Sequence, residues 1–180
     1  MIYVFLAQGF EEVEALAPID LLRRCEKEVI TVGVNDNIIV GSHNIPVVTD
    51  TITQEIVLSD ELEMIILPGG MPGTVNLENN PVVQQAIDYC IKNNKYIGAI
   101  CAAPSILGHK GLLKGKDAVC FEGFESQLEG ANILNSPVAV DGNIITARGA
   151  GVAIQFALKL AEVLTSKERS DVLKSSILCE

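Results

Sequence analysis

The sequence predicts an α/β fold: a mostly parallel sheet with helices on both faces. Three observations carry this. Compact apolar runs recur at 2–7, 29–34, 64–67 and 96–100, each long enough for a buried strand. Segments of helical period separate several of them. Small residues, glycines and prolines mark the junctions, most densely at Pro68-Gly69-Gly70-Met71-Pro72-Gly73. Strands alternating with helices pair in parallel and need cover on both sides. A chain of 180 residues suits one domain, 1–180, with a sizeable core.

In chain order, 2–7 is the first strand and Gln8-Gly9-Phe10 a turn. Residues 11–24 read as a helix with Val13, Leu16, Ala17, Leu21 and Leu22 inward, bent at Pro18. Its first turn carries Glu11, Glu12 and Glu14, where the helix dipole favours negative charge. The second strand is 29–34. Extended pieces at 38–40 and 45–48 read as a small hairpin. Strand 64–67 follows, then a helix over 82–93 started by Pro81. Next come strand 96–100, Cys101, and a helix from Ala102 closed by 108–115. A strand is expected at 118–121. A hairpin is expected over 138–147, turning at Asp141-Gly142-Asn143. Gly149-Ala150-Gly151 leads into a helix over 152–165. A last short helix follows Ser166, docked by Leu173 and Ile177.

Composition narrows the function classes. Hydrophobic residues make up 48% and charged residues 20%, the balance of a globular chain. A net charge of −10 argues against nucleic-acid or anionic-membrane partners. Five cysteines without a CxxC pair or framework spacing fit a reducing compartment. The start lacks signal-peptide features, and no apolar run reaches membrane-spanning length. A cytoplasmic location is therefore expected. His43 and His109 are the only histidines, which leaves little for a His-based metal site.

The stretch from Tyr96 to Ser105 concentrates the chemistry. An apolar strand breaks at Cys101 into Ala102-Ala103-Pro104. A nucleophile on a sharp strand-to-helix turn needs small residues two before and two after, here Ala99 and Ala103. A helix N-terminus at Cys101 would favour its thiolate. The competing reading is a packed structural cysteine. Glu14 is either a solvated carboxylate at a helix start or a partner of Cys101. In the second case the two negative charges disfavour each other and the carboxyl pKa rises. Gly69-Gly70 is either a plain tight turn or a source of backbone N–H groups, with Gly70 and Ala102 forming an oxyanion site. Parallel strands ending at Ala7, Leu67 and Ile100 would bring all three features to one sheet edge.

The chain resembles the ThiJ/PfpI family, in its parkinsonism-associated deglycase branch. The resemblance rests on Gly9-Phe10-Glu11-Glu12-Val13-Glu14 and Pro18-Ile19-Asp20-Leu21-Leu22-Arg23-Arg24. Leu67-Pro68-Gly69-Gly70, Ala99-Ile100-Cys101-Ala102-Ala103-Pro104 and Thr146-Ala147-Arg148-Gly149-Ala150-Gly151 follow in the family's order. It implies a flavodoxin-like three-layer α/β/α sandwich and a homodimer. It implies Cys101 as the reactive cysteine, Glu14 as its carboxylic partner, and an oxyanion site from Gly70 and Ala102. The implied activity is cofactor-free conversion of reactive 2-oxoaldehydes or their glycation adducts, with no metal. The alternative is a redox-sensing or chaperone-like protective protein whose cysteine oxidises to sulfinic acid.

The departures are informative. The protease-like branch has histidine directly after the cysteine, where this chain has Ala102. Amidotransferases use a later His-x-Glu, and no histidine follows His109. Both triad chemistries lack their base. Phe121 stands where the animal deglycase has an active-site histidine, and His43 where it has an arginine near the dimer contact. Gly69, His43, Phe121 and Arg24 are thus candidate pocket or dimer-contact residues. His109 is expected at a helix end or surface. Cys25, Cys90 and Cys120 are expected to pack and Cys179 to be exposed, with Cys120 alternatively a second thiol near the site. Arg148 is expected to brace the last strand-to-helix turn through an ion pair.

Overall fold

The computed structural model describes residues 1–179. In chain order the strands are β1 (Ile2–Leu6), β2 (Val29–Gly33), β3 (Ile38–Val40), β4 (Pro46–Val48), β5 (Thr51–Ile52), β6 (Met64–Leu67), β7 (Tyr96–Ile100), β8 (Asp117–Ala118), β9 (Asn132–Ile133), β10 (Val138–Asp141) and β11 (Ile144–Ala147). The helices are α1 (Glu12–Arg24), α2 (Gly73–Glu78), α3 (Pro81–Lys92), α4 (Pro104–His109), α5 (Ala153–Leu164) and α6 (Lys167–Ser176). The main sheet runs β10-β11-β7-β6-β1-β2-β5, parallel throughout except for the antiparallel β10 edge.

Residues alternate between the two sheet faces. Ile2, Val4 and Leu6 join one core with Met64, Ile66 and helices α1, α5 and α6. Tyr3, Phe5, Ile65 and Leu67 join the other with α3 and α4. This is the flavodoxin-like sandwich, and it explains why β1 and β6 are apolar at every position. Gly98 of β7 lets α5 approach closely: a Cβ there would lie 3.1 Å from both Phe156 and Leu160. Asn80 caps α3 by accepting from the Val82 and Val83 N–H groups. Ser166 caps α6 in the same way, through Arg169. Among the described residues no helix is long and apolar enough to cross a membrane.

Four expectations need correction. Helix α1 buries Glu12, Glu14, Ala15, Pro18, Ile19, Leu21 and Leu22, while Val13 and Leu16 are exposed. The helix is rotated so that its carboxylates face inward, which is possible because each finds donors there. The expected strand at 118–121 is reduced to Asp117–Ala118, paired with β9 outside the main sheet. Beyond it, backbone donors go elsewhere: Val119 to the Thr146 hydroxyl and Phe121 to the Cys101 carbonyl. The helix after Cys101 starts at Pro104, because residues 101–103 form a turn. Cys179 is partly buried against the α1/α5 core and not exposed. Helix α2 and strands β5 and β9 are elements that periodicity did not reveal; the strands have two residues each.

Candidate active site

Strands β7, β6 and β1 are parallel neighbours, so their carboxyl ends lie side by side. The chain leaves β1 toward β2 and later returns on the other side to β6. The crevice between β1 and β6 is therefore the switch point in strand order, where folds of this class bind ligands. Cys101 follows β7, Gly69 and Gly70 follow β6, and Glu14 stands in the first turns of the helix after β1. The convergence expected at one sheet edge is present.

Cys101 adopts φ +66, a left-handed conformation costly for a residue with a side chain. Two backbone bonds hold it there. Its N–H donates to the Ala147 carbonyl at 2.9 Å, and its carbonyl accepts from Phe121 N–H at 2.8 Å. Ala99 and Ala103 are fully buried on either side, as a tight elbow requires. The sulfur faces the backbone N–H groups of Gly70 and Ala102 and the side chain of Glu14.

Gly69 separates the cysteine from the glutamate. A Cβ at this position would stand 2.5 Å from Cys101 Cβ and 2.6 Å from Glu14 Oε2, so only glycine fits. Its N–H donates to Glu14 Oε2 at 2.9 Å. Gly70 has φ +89, and a Cβ there would meet the Glu11 backbone nitrogen at 2.4 Å. Glu11 N–H in turn donates to the Gly69 carbonyl at 2.9 Å, tying the two loops together.

Glu14 is 1% exposed, and its Oε1 has no hydrogen-bond partner within bonding geometry among the described residues. Burial pushes its carboxyl up to about 7, against the opposing hydrogen bonds from Cys101 and Gly69. Burial also pushes the Cys101 thiol up to about 12, and the Glu14 charge adds to that. The helix-terminus argument for a readily ionised thiol therefore fails: α4 has six residues and begins three positions later, so burial dominates. Above about pH 7 the pair holds one proton between two sites. When it rests on sulfur, the thiol donates to the Glu14 carboxylate. When it rests on Glu14, the repulsion vanishes and the carboxylic acid donates to a thiolate that also faces two backbone N–H groups.

Phe121, half-exposed, forms a wall of a cleft of about 460 Å³ that also includes Arg148 and Gly149. A Cβ at Gly149 would lie 3.2 Å from the Phe121 ring and 3.8 Å from Glu14 Oε1. The cleft thus abuts the glutamate. Gly149 is named in the sequence as part of the turn and motif after Arg148 and not as a candidate site residue; the glycine-rich run was its signal.

His43 and Arg24 do not join this cluster. His43 Nδ1 sits 2.9 Å from Glu12 Oε2 and 3.6 Å from Glu11 Oε1. Its backbone N–H donates to Glu12 Oε1 at 2.8 Å. Burial opposes ionisation of Glu12, yet the bonds from His43 outweigh it and bring Glu12 down to about 2. The same hydrogen bond, with the Glu11 charge, raises the His43 pKa. These three side chains bring donor atoms within 4.8 Å of one another, but the imidazole already serves as the carboxylates' partner. Arg24 lies at the far end of α1, paired with Asp20 and beside Cys25 and Arg169. His109 ends α4 and meets Glu78 at 2.6 Å. Cys120 is buried in the core, which pushes its thiol up to about 11. Arg148 forms no ion pair among the described residues; it donates to Asn135 Oδ1 at 3.2 Å.

A model of the DJ-1/PfpI family matches residues 1–163. The chain is 32% identical over 184 residues to a Schizosaccharomyces pombe protein named glutathione-independent glyoxalase DJ-1, covering 97% of this chain and 96% of that one. It is 34% identical over 179 residues to DJ-1 homolog B of Arabidopsis thaliana, covering 98% of this chain but only 41% of the plant protein. The chain thus spans less than half the length of that relative. The solved structure of oxidized Toxoplasma gondii DJ-1 superposes with a TM-score of 0.93 at 33% identity, over 98% of this chain and 97% of that one. A matching family model across nearly the whole chain, and the same sandwich in a solved relative, place this chain in the DJ-1/PfpI family.

Proposed function

We propose that this protein is a cofactor-independent, cysteine-dependent enzyme acting on reactive 2-oxoaldehydes or their glycation adducts. The observation that carries the reading is the buried Glu14 beside Cys101, poised near neutrality and divided from it only by Gly69. The name of the fission-yeast relative supports the same reaction class.

With the shared proton on Glu14, the Cys101 thiolate adds to the aldehyde carbon and forms a hemithioacetal. The new oxyanion accepts from the Gly70 and Ala102 amides and takes the Glu14 proton. The resulting carboxylate removes the hydrogen of the former aldehyde carbon as a proton, giving an enediolate. Glu14 returns that proton to the adjacent carbon while the hydroxyl proton passes from the first oxygen to the second, leaving a thioester. Water cleaves the thioester to a 2-hydroxy acid and restores the thiol. One carbon is oxidised and its neighbour reduced, so no external oxidant is consumed. A carboxyl that titrates near 7 suits a group that must both give and accept a proton.

Methylglyoxal consumption with D- and L-lactate detection tests the reading on reduced wild type, Cys101→Ala and Glu14→Gln. Stereospecific lactate from wild type, absent from both variants, is expected. Equal lactate from wild type and Cys101→Ala would refute it. If wild type forms no lactate but gains two oxygens at Cys101 under mild peroxide, the redox-sensing alternative replaces it.

A homodimer belongs to the same proposal, supported by the exposed apolar Val13 and Leu16 on α1. Sedimentation at the mass of one chain would refute it. A cytoplasmic location is supported by Cys25, Cys90 and Cys120, which are buried without disulfides.

A further inference from the structure

Among the described residues, Arg148 carries a charge that no carboxylate pairs. Arg23, Arg24 and Arg169 each reach a carboxylate, on Asp50, Asp20 and Glu26. Arg148 reaches none among the described residues, although the chain has a net charge of −10. Among the described residues its side chain bonds to Asn135 alone, which uses one of five guanidinium donors. Its backbone is fixed: it follows β11, and its N–H donates to the Pro137 carbonyl at 3.1 Å.

Its location gives that charge a use. Arg148 lines the cleft with Phe121, Asn135, Gly149 and Val152. Gly149, one of its lining residues, is close to the glutamate: a Cβ there would lie 3.8 Å from Glu14 Oε1. Phe121 is bonded through its N–H to the Cys101 carbonyl. Phe121 and Gly149 thus connect the cleft that holds Arg148 to the Cys101–Glu14 pair. Among the described residues Glu122 is the one carboxylate lining the cleft, and it forms no ion pair with Arg148. The Phe121 ring and Val152 give the cleft an apolar lining beside the guanidinium.

We propose that Arg148 is a specificity-determining residue that selects 2-oxoaldehydes bearing a carboxylate at the end remote from the aldehyde. The planar guanidinium suits a bidentate pair with that carboxylate. The inference rests on the glyoxalase-like reading above. A substrate of this class is 4,5-dioxopentanoate, which takes up water and leaves as 2-hydroxyglutarate. Its aldehyde carbon is oxidised and its ketone carbon reduced, so the step needs no further reactant.

The test compares kcat/KM for 4,5-dioxopentanoate with that for 2-oxopentanal, the neutral molecule of equal length. Wild type, Arg148→Gln and Arg148→Lys are measured at low ionic strength. The anionic preference should fall ~10-fold in Arg148→Gln and recover in part in Arg148→Lys, the behaviour of a charge-assisted contact. Turnover of both aldehydes with the same preference in all three proteins overturns the role of Arg148 and leaves the glyoxalase reading intact. If wild type turns over neither aldehyde, the glyoxalase reading falls. The cleft charge is then read from alkylation of Cys101 by iodoacetate against iodoacetamide, followed by mass spectrometry. That rate ratio should fall ~3- to 10-fold in Arg148→Gln if the guanidinium draws anions to the site. An unchanged ratio overturns the proposal.

Discussion

Glu14→Gln should stabilise the protein at neutral pH while removing its turnover. The carboxyl is 1% exposed and titrates at about 7, against 4.5 for an ordinary glutamate. Between those values the folded chain holds a proton that the unfolded chain has released. Stability therefore falls as pH rises through this window, by about 1.4 kcal/mol per pH unit. Across the span from 4.5 to about 7 the loss is about 3 kcal/mol. Glutamine cannot ionise, keeps an oxygen for the Gly69 N–H, and offers an amide donor toward sulfur. The variant should match wild type near pH 5 and exceed it by about 3 kcal/mol near pH 8. Urea unfolding at fixed ionic strength, under reducing conditions, measures both proteins across that range. The Cys101 thiol, pushed up to about 12, stays protonated throughout it in the folded state. A stability difference that is the same near pH 5 and near pH 8 would refute the reasoning. It would mean that Glu14 ionises in the folded protein as it does in the unfolded chain, and that no proton is poised beside Cys101.

Two other perturbations test the supports of the site. Gly69→Ala places a methyl group 2.5 Å from Cys101 Cβ and 2.6 Å from Glu14 Oε2, so it must push the two apart. Turnover should fall ~100-fold with the circular dichroism unchanged, since a small misplacement of reacting groups is costly; undiminished turnover would show that their separation is not critical. Glu12→Gln removes a buried, ionised acceptor of the His43 ring and main-chain N–H, and should cost about 2 kcal/mol at pH 7. Because Glu12 is lowered to about 2, its contribution is complete above 4.5 and is lost as pH falls through 2. A variant as stable as wild type at pH 7 would show the Glu12–His43 pair to be without net effect.

Much of this architecture is legible in the chain itself. The runs at β1, β2, β6 and β7 are apolar at nearly every position, and only a sheet covered on both faces accepts such strands. Alternation with helices makes those strands parallel, and parallel order brings Glu14, Gly69 and Cys101 to one edge. The small neighbours of Cys101 mark its strained turn because bulk there has no room. These features are local, or follow from periodicity, and so they survive in a linear reading.

Orientation and energetics are another matter. Apolar counting turned Val13 and Leu16 of α1 inward, whereas the fold buries Glu12 and Glu14. A carboxylate faces a core only where distant donors await it, here His43 on the β3–β4 connection and the Gly69 amide after β6. The thiol's resistance to ionisation likewise depends on how deeply surrounding segments bury it. That Arg148 meets no carboxylate among the described residues is visible only once those residues have positions. The sequence by itself determined the parallel α/β sandwich, the strained cysteine turn and the glutamate that would meet it. Only the tertiary structure decided which face of α1 is buried, where the shared proton lies and which cation borders the cleft. Those depend on desolvation and on partners remote in the chain, and neither has a local sequence signal.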